Sequence, residues 1–198
     1  MCPVKNSKKG FVLASVFDKK DIAKFVKFLK TTGYSIIATE GTSKELIKEK
    51  ISFYSAEQIS RNPKKLEDCI KTISFRIEAG ILFNRSNKTQ VKEVKSLGIK
   101  PIDIVICNFP PLEKVVKKTR DFNVRNIDVG GPLMVRAAAT NFKNVLIVVD
   151  PNDYKKIEEA IIEKNVTAKL HQRLAKKAFR YTCDYDQKIA RYLRENDL

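Results

Sequence analysis

Three short runs of consecutive apolar residues, Phe11 to Val16, Ile102 to Cys107 and Val145 to Val149, constrain the fold more than any other feature of the chain. Each has the length of a buried strand, and each is followed by polar, turn-forming residues. A helical pattern with Ile22, Phe25, Val26 and Leu29 inward follows the first run, with Asp18 as its expected cap and Gly33 at its end. Ser35 to Thr39 reads as a second strand, and Glu40 to Lys50 as a helix with Leu46 and Ile47 inward; Ile51 to Ser55 can form a third short strand. This βαβα order predicts an α/β fold, a mainly parallel sheet flanked by helices. Ala56 to Lys71 reads as a long surface loop or irregular helix, Glu78 to Leu82 and Thr89 to Leu97 as helices. Thr167 to Asn196 gives one or two helices with Leu170, Leu174, Phe179, Tyr185, Ile189 and Tyr192 as packing residues.

The 198 residues, 43% of them hydrophobic, suffice for one domain with a real core behind a basic tail over 1–10. No apolar run is long enough to span a membrane and the start has no signal-peptide pattern, so the expected location is the cytoplasm. Cys2, Cys69, Cys107 and Cys183 share no Cys-x-x-Cys spacing and only His171 could join them, which argues against a zinc site. Cys107 is expected in the core and His171 on the surface. The net charge of +16 favours anionic ligands. Because the lysines are dispersed and no recognition motif accompanies them, a dedicated nucleic-acid role is not the leading reading.

In an open α/β sheet ligands collect beyond the carboxyl ends of the strands, so Ser15, Thr39, Gly41, Thr42 and Asn108 should converge on one rim, with Lys19 beside them as a phosphate ligand. Ser and Thr after strands are equally ordinary caps. The stretch Asn126 to Asn141 places Asp128 just before Gly130-Gly131-Pro132. That order describes a tight turn into a helix N-terminus, with proline in the first helical position and glycines that let another molecule approach the backbone. Asp128 can serve there as a proton-transfer group or as a helix cap.

In this order and spacing, several segments resemble the IMP cyclohydrolase domain of the bifunctional purine-biosynthesis enzyme. They are Ser15-Val-Phe-Asp-Lys19, Ala38-Thr-Glu-Gly-Thr42, Lys71-Thr72, Ala79-Gly-Ile-Leu82, Cys107-Asn108, Ile127-Asp-Val-Gly-Gly131, Arg136-Ala-Ala-Ala139 with Asn141, and Tyr185-Asp186. The resemblance covers nearly the whole chain and implies a methylglyoxal-synthase-like fold. Ala38 to Thr42 is closer to the related regulatory domain of carbamoyl-phosphate synthetase.

The implied reaction is dehydrative closure of the purine ring of formamido-imidazole-carboxamide ribotide (FAICAR), without a cofactor or metal. An amide nitrogen is a poor nucleophile, so the site must orient the reacting groups, move protons and stabilise charge on the formyl oxygen. The resemblance assigns Lys71, Asn108 and Asp128 to catalysis. It places Thr72 beside Lys71, and the residues read above from position, Ser15, Lys19, Thr39, Gly41, Thr42, Gly130 and Gly131, are then expected to bind FAICAR or IMP. It also implies a separate AICAR formyltransferase as the source of substrate, since these residues contain no transformylase domain, and it leaves a homodimer open. Pro110 stands where the family has tyrosine, Thr140 where it has lysine, and Cys69, Ser74 and Phe75 replace further family residues. These departures predict weakened catalysis unless Arg76 or Lys143 has taken over. Three readings follow: a stand-alone cyclohydrolase, an impaired nucleotide- or phosphate-sensing module of the same fold, and, on charge alone, a nucleic-acid binder.

Overall fold

The computed structural model describes residues 9–63, 70, 72–113 and 127–195. Lys71, Cys69 and most of the basic tail lie outside these residues. The elements are β1 (Phe11–Val16), α1 (Ile22–Thr31), β2 (Ser35–Ala38), α2 (Glu40–Lys48), β3 (Tyr54–Ser55), α3 (Ala56–Ser60), α4 (Phe75–Leu82) and α5 (Lys88–Ser96). After them come β4 (Ile102–Asn108), α6 (Gly130–Thr140), β5 (Leu146–Val148), α7 (Tyr154–Ile162) behind a 3₁₀ turn, and α8 (Ala168–Glu195).

The five strands pair in parallel in the order β3-β2-β1-β4-β5. The chain leaves β1 toward β2 and leaves β4 in the opposite direction toward β5, so right-handed crossovers put α1 and α6 on opposite faces. The apolar runs are what this demands: Leu13, Val105, Ile106 and Val148 are fully buried between the helical layers. On one side Phe25 of α1 stacks on Tyr154 of α7 with ring centroids 4.3 Å apart. On the other, α6 packs on β4 and is covered in turn by α8. The register aligns Ser15 with Cys107, Val16 with Asn108 and Ile106 with Val148, so the carboxyl ends of β1, β4 and β5 form one edge.

Several local expectations are corrected. Asp18 does not cap α1; its carboxylate accepts from Lys20 N, and Asp21, with φ 54°, precedes the helix without a side-chain cap. Leu46 is buried but Ile47 is 62% exposed, because α2 turns a narrow stripe inward. The third strand has only two residues, and the polar stretch after it begins as a helix with a Ser55–Gln58 capping box. Pro132 takes the third position of α6, not the first. The C-terminal stretch is one helix of 28 residues. Its buried face runs through Leu170, Leu174, Ala178, Thr182 and Tyr185, leaving Phe179 exposed. His171 is not a free surface residue: it is half-buried, with Nδ1 2.7 Å from Phe142 O, which ties α8 to the turn before β5. Cys107 is buried, and burial drives its thiol far above the usual range.

Candidate active site

Asn108, the last residue of β4, organises the rim. Its Oδ1 accepts the N–H groups of Phe17 and Asp18, each at 2.8 Å, and so fixes the loop leaving β1. Two backbone donors also settle which end of the amide is oxygen. The amide nitrogen makes no hydrogen bond to a described residue, and Asn108 lines a cleft of about 960 Å³ beyond the strand ends. This is the arrangement of an orienting amide: one end held by the scaffold, the other available.

Beside it, Thr39 Oγ1 donates to Ser15 Oγ at 3.3 Å and lies 3.4 Å from Thr42 Oγ1. Thr42 is fully buried and its hydroxyl accepts the Val16 N–H at 2.9 Å, so it braces the rim from within instead of facing a ligand. Gly41 is the second residue of α2, in the first turn where N–H groups have no intrahelical partner. A Cβ built there meets only Lys19 Nζ, at 4.0 Å. Lys19 donates to Val16 O, and desolvation lowers its pKa against the pull of Glu45 and Asp18. A half-buried ammonium over an open helix start is chemically suited to a phosphate.

The turn into α6 forms a second cluster. Asp128 Oδ1 accepts the Gly131 N–H at 3.0 Å, and Tyr185 Oη accepts the Asp128 N–H at 3.0 Å. Asp128 is therefore a cap, whatever else it does. A Cβ on Gly131 would lie 2.7 Å from Asp128 Oδ2 and 2.9 Å from the Phe109 ring; one on Gly130 would lie 2.9 Å from Thr72 Oγ1. The space a side chain would take at either glycine is thus filled by the chain itself. Phe109 also packs on Tyr181 and Tyr185, with centroids 4.5 and 4.7 Å away. Tyr181 Oη accepts from Phe109 N and donates to Phe109 O, both at 3.1 Å. Tyr181 was not singled out by sequence; its i, i+4 spacing with Tyr185 on a helix face was the available signal.

Rim and turn meet through the consecutive residues Asn108 and Phe109, so Ser15, Lys19, Thr39, Gly41 and Asn108 on one side and Thr72, Asp128, Gly130 and Gly131 on the other border the same edge. Thr140 does not. It is the exposed last residue of α6, roughly 15 Å from the helix start at the usual rise. Asn141 next to it donates to Ile81 O and Phe83 O at the far end of α4. Lys143 follows in the same turn, and Arg76 donates to Leu97 O. Neither Arg76 nor Lys143 makes a hydrogen bond or ion pair with Asp128 among the described residues.

Glu78 of α4 is a further buried acid. Both carboxylate oxygens are inaccessible and without a hydrogen-bond partner among the described residues, and burial raises its pKa to about 7. The folded chain then holds a proton that the unfolded chain has lost between the ordinary carboxylate range and pH 7, so stability falls as pH rises through that window. Glu78→Gln is expected to abolish this fall. At pH 8 the variant should exceed wild type by about 2–3 kcal/mol in urea denaturation, and near pH 4 the two should converge.

The chain is a parallel α/β domain with hydroxyls, a lysine and an amide on the carboxyl edge of its sheet, the edge where ligands of such sheets collect. The profile of the MGS-like domain matches residues 21–133, more than half of the chain, and that of the AICARFT/IMPCHase bienzyme matches residues 138–198. The chain belongs to the MGS-like domain family. It is 40% identical over 187 residues to the bifunctional purine biosynthesis protein PurH of Acetivibrio thermocellus and 41% identical to that of Caldicellulosiruptor bescii. In each case 92% of this chain is covered and 36% of the relative, so the chain spans about a third of the length of these curated relatives. The crystal structure of ForH superposes with a TM-score of 0.81 at 28% identity, covering 92% of this chain and 98% of that one. No described helix is long and apolar enough to cross a membrane.

Proposed function

We propose that this chain is an IMP cyclohydrolase, closing the ring of FAICAR to IMP with loss of water. The observation that carries this reading is the Asn108 amide, held by the Phe17 and Asp18 N–H groups with its nitrogen uncommitted among the described residues, on the rim of a chain about 40% identical to purine-biosynthesis enzymes. In the proposed mechanism the ribotide phosphate lies against Ser15, Lys19, Thr39 and Gly41. Asn108 donates to a carbonyl oxygen of the substrate and aligns the carboxamide with the formyl group. Asp128 keeps Oδ1 on the Gly131 N–H and uses its other oxygen to take the proton released as the carboxamide nitrogen attacks. Lys71 and Thr72 supply charge and a hydroxyl to the developing oxyanion. The substrate must come from a formyl transfer to the corresponding amine.

A second reading, the impaired nucleotide-sensing module, is favoured by one observation: Pro110, two residues beyond the end of β4, offers neither a hydroxyl nor an N–H where the family it resembles has tyrosine. Following FAICAR conversion to IMP by absorbance with purified protein separates the two. The enzyme turns over; the sensor shows only IMP-linked stabilisation, about 2.7 kcal/mol at a hundred times Kd, with no product above the uncatalysed rate.

A further inference from the structure

The cleft that Asn108 borders extends well beyond the residues used for ring closure. Its far wall is one face of α8, carrying Arg173, Lys176, Lys177 and Arg180 at helical spacing, and its lining includes the aromatic rings of Phe17 and Tyr181. Phe17 is 41% exposed. These cations do different work. Lys177 lies 2.6 Å from Asp150 and 2.5 Å from Asp153, and it locks the turn after β5 to α8. Burial pushes Asp150 upward, but the Lys177 and Asn152 hydrogen bonds hold it below the ordinary carboxylate range. Arg173 reaches Asp153 only at 3.9 Å, and the Arg180–Asp184 pair is an exposed i, i+4 contact at 3.2 Å. Such pairs contribute little and re-form readily around a better anion. Lys176 has no carboxylate partner among the described residues.

Arg173, Lys176 and Arg180 extend roughly 10 Å along the helix, a longer cationic row than one phosphate requires. A cleft of about 960 Å³ with aromatic residues beside such a row matches the size of sites that hold a whole nucleotide, and of its carboxylates Asp150 is paired with Lys177 and Asp184 with Arg180. Guanidinium groups favour phosphate oxygens, and the edge that the Phe17 and Tyr181 rings leave toward the cleft favours a planar base. We propose that this cleft is a second ligand site, which takes a nucleoside diphosphate or triphosphate with its phosphates along Arg173, Lys176 and Arg180 and its base against Phe17 and Tyr181. The proposal does not depend on ring closure at the rim. Lys19 and Asn108 border both places, so an occupant here would be the immediate neighbour of one at the rim.

The test is calorimetric titration of the full chain with ADP, alone and with saturating IMP, and with inorganic pyrophosphate as a second probe. Wild type is expected to bind one ADP whether or not IMP is present, and to bind pyrophosphate at least 10-fold more weakly. Arg173→Ala/Lys176→Ala/Arg180→Ala should lower ADP affinity at least 10-fold without changing the melting temperature of the unliganded protein. Lys176→Glu, a single exposed change, should weaken ADP in the same direction and serves if the triple variant folds poorly. No ADP binding by wild type at millimolar concentration, unchanged affinity in both variants, or strict displacement of ADP by IMP would each overturn the proposal. Pyrophosphate binding as tightly as ADP would overturn the base contact.

Discussion

Asn108→Asp is expected to slow ring closure by roughly 10²- to 10³-fold, the usual cost of removing one preorganised donor, with unfolding stability kept within about 1 kcal/mol. The aspartate still offers an oxygen to the Phe17 and Asp18 N–H groups, so the loop leaving β1 keeps its anchor. What disappears is the amide nitrogen, the one donor of that side chain not used by the described scaffold. Asn108→Leu removes both functions, and each abandoned N–H should cost about 1–3 kcal/mol in addition to the lost activity. Melting curves and initial rates on the two variants separate anchoring from chemistry. If Asn108→Asp turns over like wild type, the amide serves only the fold.

Gly131→Ala is expected to be the most damaging single methyl addition at the site. The new Cβ would sit 2.7 Å from Asp128 Oδ2, 3.2 Å from its Cγ and 2.9 Å from Phe109 Cδ1. None of these can swing away cheaply. The Asp128 carboxylate is tied to the Gly131 N–H, its backbone N–H to Tyr185, and the Phe109 ring packs on two tyrosines. The start of α6 must move off β4, costing about 1–3 kcal/mol and displacing Asp128 from its place beside the rim. Gly41→Ala is the control: with only Lys19 Nζ at 4.0 Å, the fold should tolerate it. Chemical denaturation of both variants checks the pair, and equal stabilities would remove the steric argument at Gly131.

The strands were legible because burial on both faces leaves an unbroken apolar run, as in Ile102 to Cys107, and that signal does not depend on distant residues. The convergence of Ser15, Thr39 and Asn108 was legible for a related reason: a parallel sheet brings all its carboxyl ends to one edge. What depended on side-chain partners was not. Thr42 looked like a ligand hydroxyl and is consumed by Val16 N–H; Gly130 and Gly131 looked open and are filled by Thr72, Asp128 and Phe109. The α8 face was missed because its basic residues look like any solvated helix until β4 and β5 supply the opposing wall. Thr140 was placed in the site by motif order alone, and helix geometry carries it to the other end of α6.

The central claim is that this rim closes a purine ring with Asp128 as proton acceptor. The measurement that tests it most directly is the rate of IMP formation from saturating FAICAR by wild type and by Asp128→Asn, read by absorbance with the melting temperature of each. Asparagine keeps an oxygen for the Gly131 N–H, so the cap and the stability should survive, whereas loss of the cap in Asp128→Ala should cost about 0.5–2 kcal/mol. The account predicts product in proportion to wild-type protein, and a rate at least roughly 10²-fold lower in the equally stable asparagine variant. Equal rates in the two proteins, or no product from wild type above the uncatalysed background, would contradict it.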